Sequence, residues 1–400
     1  MALLLTLLIA GVVYVLAAIY APFPYWRTYF ILWRAVLFHQ EPAICLRARA
    51  KQALLLVKYA VFLPIWALLW ALDEIFYRRY KRATVRPVFI VGQPRSGTTF
   101  LHRTLAADGD HFIAIRHLEW RYPFICLHRF LARTGLERRL ARRSYWSGTE
   151  AGAVAARMHP NRLSDWEEDG IFFEECFLHH FFVFLWFPYP HLLQHLDGFP
   201  GLPEKVQERI LRTHGRVIQK VIYMRGGQNQ FYLSKEVTSH NKFPRLLELY
   251  PQARFIFCLR PASEFMSSLL ALVRCSTKSK IGVDPMRIPR WEPVILDRMQ
   301  QDGLNLLALC QQRVEPARQT RILFHRLVSY PQWVMEELYE AWGLNMSSAY
   351  RQYLCDLQSR QEQRERGYEY EGNVYQGFAD FDRFVRAVAA LDPRIAPDDR

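Results

Sequence analysis

The stretch Val88-Phe-Ile-Val-Gly-Gln-Pro-Arg-Ser-Gly-Thr-Thr-Phe-Leu101 constrains the fold of this chain more than any other. Four apolar residues run into Gly92, a short loop follows, and a helical pattern starts near Gly97. Strand, tight turn and helix in that order offer backbone N–H groups and a helix N-terminus to an anion. Against the nucleotide-phosphate pattern G-x-x-x-x-G-K-[ST], the loop reads Gly92-x4-Gly97-Thr98-Thr99. Thr98 stands where lysine is expected, and the cation has moved back to Arg95. The turn keeps its phosphate-binding design but lacks the lysine that reaches the β- and γ-phosphates of ATP. It points to a phosphate donor other than an ordinary nucleoside triphosphate.

From about Val85 the chain alternates short apolar strands with helices. The expected strands are Val88–Val91, Phe112–Ile115, Gln230–Leu233, Arg254–Leu259 and Arg321–Phe324. Helical patterns cover Thr98–Ala107, Lys242–Leu249, Ala262–Val273 and Gln332–Trp342. Such alternation predicts an α/β fold, a three-layer arrangement around a parallel sheet with a phosphate-binding turn of P-loop type. Ligands of such sheets sit at the carboxyl ends of the strands, where the Gly92 loop and Arg260 both fall.

The first 82 residues read differently. Met1 to Ala21 carry no charge and are long enough to cross a bilayer core. No basic residue precedes the apolar run, and it ends in Pro22-Phe-Pro-Tyr-Trp26 and Arg27. A membrane helix with an aromatic anchor fits this pattern better than a cleaved signal. A second apolar run, Leu54 to Leu72, is interrupted by Lys58 and Pro64 and precedes the basic cluster Arg78-Arg79-Tyr-Lys81-Arg82. It is expected to span, or to lie in the interface with Lys58 snorkelling, in preference to a helix buried on the soluble domain. The division expected is a membrane-anchoring helical region, 1–82, and a catalytic domain, 83–400. Basic residues after both segments place the catalytic domain on the cytoplasmic side. The net charge of +14 calls for an anionic partner. No nucleic-acid motif is present, which favours a membrane surface or a polyanionic donor. Seven cysteines with no C-x-x-C pair argue against zinc or a disulfide scaffold.

A second motif is the strand Arg254–Leu259 followed by Arg260-Pro-Ala-Ser263 and a helix carrying Ser267 and Ser268. Arg260 can pair with a phosphate, and a helix-borne serine can donate a second hydrogen bond. Together the two motifs resemble the sulfotransferases that use 3′-phosphoadenosine 5′-phosphosulfate (PAPS), in the broad bacterial-type branch. Gln93-Pro-Arg-Ser-Gly-Thr-Thr-Phe-Leu101 resembles the 5′-phosphosulfate loop of that family, and Arg260 through Ser268 its 3′-phosphate motif. Met158-His-Pro160 with Asp165-Trp-Glu-Glu168, the Ser234-Lys235 segment, and Phe324–Pro331 with Trp342-Gly-Leu344 resemble further landmarks. The resemblance covers roughly Val85 to Gly377. Arg260-Pro-Ala departs from the usual Arg-Asp-Pro, no histidine follows two residues after Lys235, and only Arg364-Glu-Arg-Gly367 offers a counterpart to the family's C-terminal Arg-Lys-Gly loop.

The resemblance implies a membrane-attached transferase moving a sulfuryl group from PAPS to a hydroxyl of a lipid, glycan or other small acceptor, with no metal. It implies that Arg95, Ser96, Gly97, Thr98, Thr99, Phe100, Arg260 and Ser268 hold the nucleotide. Arg95 and Lys235 then supply positive charge to the leaving oxygen. The acceptor hydroxyl needs a base, for which Glu119 is the first candidate, with His159, Glu168 and His240 behind it. The competing reading of Glu119 is an ion pair with Arg116 or Arg121. A kinase-like phosphotransferase would need a lysine at position 98 and a Walker B acid, and the chain offers neither. A catalytically inactive nucleotide fold serving as an interaction surface is the remaining alternative. The acceptor pocket is expected among Pro123–Gly148, Phe172–Pro200 and Cys275–Pro293. Acceptor identity and oligomeric state are not legible in the sequence.

Overall fold

The computed structural model describes residues 2–238, 240–363 and 375–391. Its centre is a five-stranded sheet, all parallel, in the order β2-β3-β1-β4-β5. The strands are β1 Pro87–Gly92, β2 Phe112–Ala114, β3 Phe231–Glu236, β4 Arg254–Leu259 and β5 Gln319–Leu323. Each falls on or within a few residues of an expected strand. Side chains alternate between the two faces of a strand, and the central strands are apolar on both. Phe89 and Val91 of β1, with Phe255 and Phe257 of β4, join one core. Val88 and Ile90, with Ile256 and Cys258, join the other. Helices cover both faces, giving the three layers that buried parallel strands require.

The connections β1→β2→β3 build one side of the sheet, and β4→β5 build the other. The carboxyl ends of β1 and β4 therefore flank the crevice where such folds bind ligands. Register sets the two motifs side by side, because Gly92 pairs with Cys258, two residues before Arg260.

The N-terminal segments form three helices: α1 Ala2–Tyr20, α2 Trp26–Phe38 and α3 Leu46–Phe76. α3 runs unbroken through Pro64. By length and composition it could cross a membrane, yet one of its faces is built into the rest of the fold. Gln52, Leu56, Tyr59, Leu63, Trp66, Trp70 and Asp73 recur at three- and four-residue spacing and are all buried. Gln52 Nε2 donates to the carbonyl of Trp186 at 2.7 Å, and Tyr59 Oη donates to Glu175 at 2.8 Å. Asp73 accepts from the backbone N–H groups of Ile125 and Cys126 and pairs with Lys220 Nζ at 2.9 Å. Both charged side chains of that pair are fully buried, and the ammonium stands 3.3 Å from the centre of the Trp70 ring. Burial pushes the Lys220 ammonium down to about 8, against the pull of Asp73.

Removing one partner of a sealed pair strands the other charge. Asp73→Ala should lower stability by about 3–5 kcal/mol, measured by denaturant unfolding. A loss below about 1 kcal/mol, the scale of an exposed pair, would show that α3 is not anchored in this way.

Candidate active site

Gly92 closes β1 where the sheet leaves no room for a side chain. A Cβ there would stand 2.6 Å from the carbonyl oxygen of Cys258 on β4. The chain then turns through Arg95 and Gly97, both left-handed with φ of 67° and 83°, into the helix α4, Thr98–Ala106. A left-handed backbone at a non-glycine residue costs about 1–3 kcal/mol and persists only where its surroundings hold it. Here the guanidinium is fixed on two sides. Arg95 Nε donates to Ser268 Oγ at 3.0 Å, and Nη1 donates to the carbonyl of Met158 at 2.9 Å. The first N–H groups of α4 have no partner within the helix, and the buried hydroxyl of Ser96 has none either. A tight turn, unpaired donors and adjacent arginines suit a phosphate.

Arg260 lies at the same end of the sheet. Its Nη1 donates to the Arg95 carbonyl at 2.8 Å, and its Nε to Glu264 at 3.2 Å. The guanidinium stacks 3.9 Å from the centre of the Phe324 ring. Ser268 reaches Arg95 from the helix Ala262–Ile281, which packs against the helix Glu150–Met158. Two turns separated by 165 residues are thus in contact.

A second group of charges lies beyond the loop. Lys235 Nζ on β3 donates to Thr99 Oγ1 at 3.0 Å and sits 3.5 Å from Glu167 and 3.6 Å from Glu168. The other Glu167 oxygen is 3.6 Å from His159 Nε2 and 3.9 Å from Arg103 Nη2. Burial alone would raise the Glu167 carboxyl, but Lys235 and His159 outweigh it and hold it well below the usual range. Burial pushes Glu168 up to about 7, against Lys235, with Glu167 adding to the rise. Burial also lowers the His159 imidazole, opposed by Glu167, which favours the neutral ring.

These groups line one cavity of about 340 Å³. Arg95, Gly97, Thr98, Thr99, Phe100, His159, Lys235 and Arg260 face it. Ser96 and Ser268 are buried beside it. Ile171, Phe181, Phe184, Leu269 and Leu272 form an apolar limb of the cavity, of which Phe181 and Phe184 come from one of the three expected acceptor segments, Phe172–Pro200. Tyr145 and Trp146 come from a second, Pro123–Gly148, and Ser276 from the third, Cys275–Pro293.

Glu119 requires a correction. It is absent from the cavity wall and turns back to the start of its own helix, α5 (His117–Arg121), where Oε2 accepts from the backbone N–H of Arg116 at 2.7 Å. Arg225 Nη2 meets both of its carboxylate oxygens at 2.5–2.6 Å. The partner is neither Arg116's side chain nor Arg121. His240 is also outside the cavity wall, its ring facing the Asp302 carbonyl. Arg364–Gly367 lies outside the described residues.

Sequence reasoning missed Glu167, Arg103, Arg121 and Glu174 as cavity residues. The available signal was the pair of acidic doublets, Glu167-Glu168 and Glu174-Glu175, bracketing apolar residues. Carboxylates in such a stretch are buried only if paired, and Arg121 bridges Glu174 and Glu175.

The fold and site define a sulfotransferase. The sequence profile of the sulfotransferase family matches residues 87–348, and the chain belongs to that family. Among named relatives, it is similar to the omega-hydroxy-beta-dihydromenaquinone-9 sulfotransferase Stf3 of Mycobacterium tuberculosis (strain CDC 1551 / Oshkosh) and of Mycobacterium bovis (strain ATCC BAA-935 / AF2122/97). It is 25% identical to each over 359 residues, which cover 80% of this chain and 82% of theirs. Among solved structures, sulfotransferase STF9 from Mycobacterium avium aligns with a TM-score of 0.70 at 16% identity, covering 96% of both chains. Sulfotransferase STF1 from Mycobacterium tuberculosis H37Rv aligns at 0.61 and 17% identity, covering 83% of this chain and 86% of that one. These structures share the fold.

The raised carboxyl of Glu168 has a consequence for stability. Between about pH 4.5 and 7 the folded protein keeps a proton that the unfolded chain releases, so stability falls as pH rises through that window. Glu168→Gln should flatten this slope and raise the melting temperature relative to wild type at pH 8 more than at pH 5. An equal difference at both pH values would show that Glu168 titrates normally.

Proposed function

We propose that this protein is a PAPS-dependent O-sulfotransferase attached to a membrane through residues 1–82, with residues 83–400 as its catalytic domain on the cytoplasmic side. The contact between the two cationic turns carries the reading, since Arg260 donates to the carbonyl of Arg95 in the phosphate loop. A nucleotide with phosphates at both ends of its ribose suits that spacing. The loop amides with Thr98 and Thr99 receive the 5′-phosphate, and Arg260 with Ser268 receives the 3′-phosphate. An ATP-like donor would bring no 3′-phosphate to Arg260 and Ser268.

PAPS supplies an activated sulfuryl group. The acceptor oxygen bonds to sulfur as the bond from sulfur to the 5′-phosphate oxygen breaks, releasing 3′,5′-adenosine bisphosphate. Little covalent work falls to the protein, so positioning and charge dominate. Lys235, held between Thr99 and the two glutamates, faces the leaving oxygen as its charge grows. Arg95 adds charge from the loop. We assign the base to His159 in place of Glu119. Burial favours its neutral ring, it lines the cavity, and the Glu167 carboxylate stands 3.6 Å from its Nε2. The acceptor is a hydroxyl on an apolar molecule. The cavity's apolar limb supports this, and so does the hydroxylated dihydromenaquinone in the Stf3 relatives' name.

Two measurements test the reading. 3′,5′-Adenosine bisphosphate should raise the melting temperature, and ATP with Mg²⁺ should not. Equal stabilisation by both would remove the donor assignment. His159→Gln should lower kcat about 10²-fold or more with bisphosphate binding intact, whereas Glu119→Gln should cost stability and leave kcat near normal. The reverse pattern would return the base to Glu119.

A further inference from the structure

The outer surface of the N-terminal helices is apolar and faces nothing among the described residues. α1 is a 19-residue helix without a charge. None of its described side chains is buried, and Leu8, Val12, Leu16 and Ile19 are each more than half exposed. α3 is apolar on its outer side as well as its inner one. Leu54, Val61, Ile65, Leu68, Ile75 and Phe76 run down the face opposite the buried stripe. α1 lies against this helix, with Tyr14 Oη donating to the Ala60 carbonyl at 2.9 Å.

The charge these segments carry is mostly of one sign. Residues 1–82 contain ten Lys/Arg and three Asp/Glu, which is half of the chain's net charge of +14. Two of the three acids are already spent, Asp73 on Lys220 and Glu74 on Lys81 and Arg216. Arg27, Arg34, Arg47, Lys58, Arg78, Arg79 and Arg82 remain exposed.

We propose that this surface docks on the leaflet of an anionic lipid bilayer, with α3 lying in the plane of the membrane rather than crossing it. This rests on the membrane attachment proposed above and specifies its geometry. The inner face of α3 contacts the catalytic domain from Lys51, which reaches the Lys280 carbonyl at 3.5 Å, to Asp73. A crossing helix would drag that polar domain into the hydrocarbon, whereas an in-plane helix keeps it in water. Apolar side chains enter the leaflet, and the arginines meet anionic headgroups. The same edge adjoins the cavity, since Lys280 stands over the ring of Tyr145 in its wall. A membrane-dissolved, hydroxyl-bearing amphiphile is the acceptor this placement serves.

Full-length protein should co-sediment with vesicles of phosphatidylcholine and phosphatidylglycerol, and at least about tenfold less with phosphatidylcholine alone or at high salt. The triple variant Leu54→Glu, Val61→Glu, Leu68→Glu changes only exposed positions and should lose binding by about tenfold or more, while its melting-temperature rise with 3′,5′-adenosine bisphosphate is unchanged. Fluorophores on Leu54→Cys, Ile65→Cys and Ile75→Cys, in a background lacking Cys45 and Cys355, should report similar shallow depths. Wild-type protein that ignores both vesicle types, a depth profile deepest at Ile65 with both ends in water, or a lipid-free dimer that shields all three labels would each overturn the proposal. None of those outcomes touches the sulfotransferase reading, which fails separately if the bisphosphate does not bind.

Discussion

The hydrogen bond from Arg260 to the carbonyl of Arg95 is the contact on which the site depends. It ties the turn after β1 to the turn after β4. The sheet order makes it available, because β1 and β4 are neighbours and end at the same level. The guanidinium of Arg95 then extends the connection to Ser268 and Met158. One residue in a left-handed conformation thus joins the phosphate loop, the helix after β4 and the segment that carries His159. Such strain at a loop residue is retained where the surrounding contacts over-determine it, and Arg95 has contacts of that kind on both its carbonyl and its side chain.

The charges beyond the loop are costly as structure. Lys235 and Glu167 have almost no exposed side-chain surface, and Glu168 little. Desolvating three ionisable groups in one place seldom adds stability compared with apolar packing. What the arrangement does provide is separation of proton affinities. Glu167 is held anionic, Glu168 is pushed toward neutrality, and burial favours the neutral ring of His159. Groups whose environments drive them apart in this way are a mark of acid–base chemistry. The ammonium of Lys235 lies between them and Thr99, touching both.

Much of the fold could be read from local patterns, and the exceptions have physical causes. β1 and β4 are runs with apolar residues on both faces, so neither the strands nor their parallel pairing was ambiguous. The phosphate loop carries its own chemistry in Gly92, Arg95 and Gly97. Glu119 falls outside the cavity wall; distance along the chain says nothing about side-chain direction. At the third position of α5 its carboxylate turns back to cap the helix, and Arg225, more than a hundred residues away, completes the pair. Glu167 was visible only as half of a doublet, since its three neighbours Arg103, His159 and Lys235 come from three other segments.

α3 shows the same limit at a larger scale. Its inner stripe, from Gln52 to Asp73, and its outer stripe, from Leu54 to Phe76, are both apolar enough that no amphipathic period stands out. A helix apolar all round reads as a membrane span, and composition cannot separate that case from a helix shared between a protein core and a lipid surface. The polar residues on the inner stripe distinguish the two. Gln52, Tyr59 and Asp73 each find a partner on the catalytic domain. A span would have to satisfy them within hydrocarbon, where an unpaired polar group is expensive. The few polar side chains on such a helix therefore carry more information about its setting than the many apolar ones, and here they bind it to the domain that holds the active site.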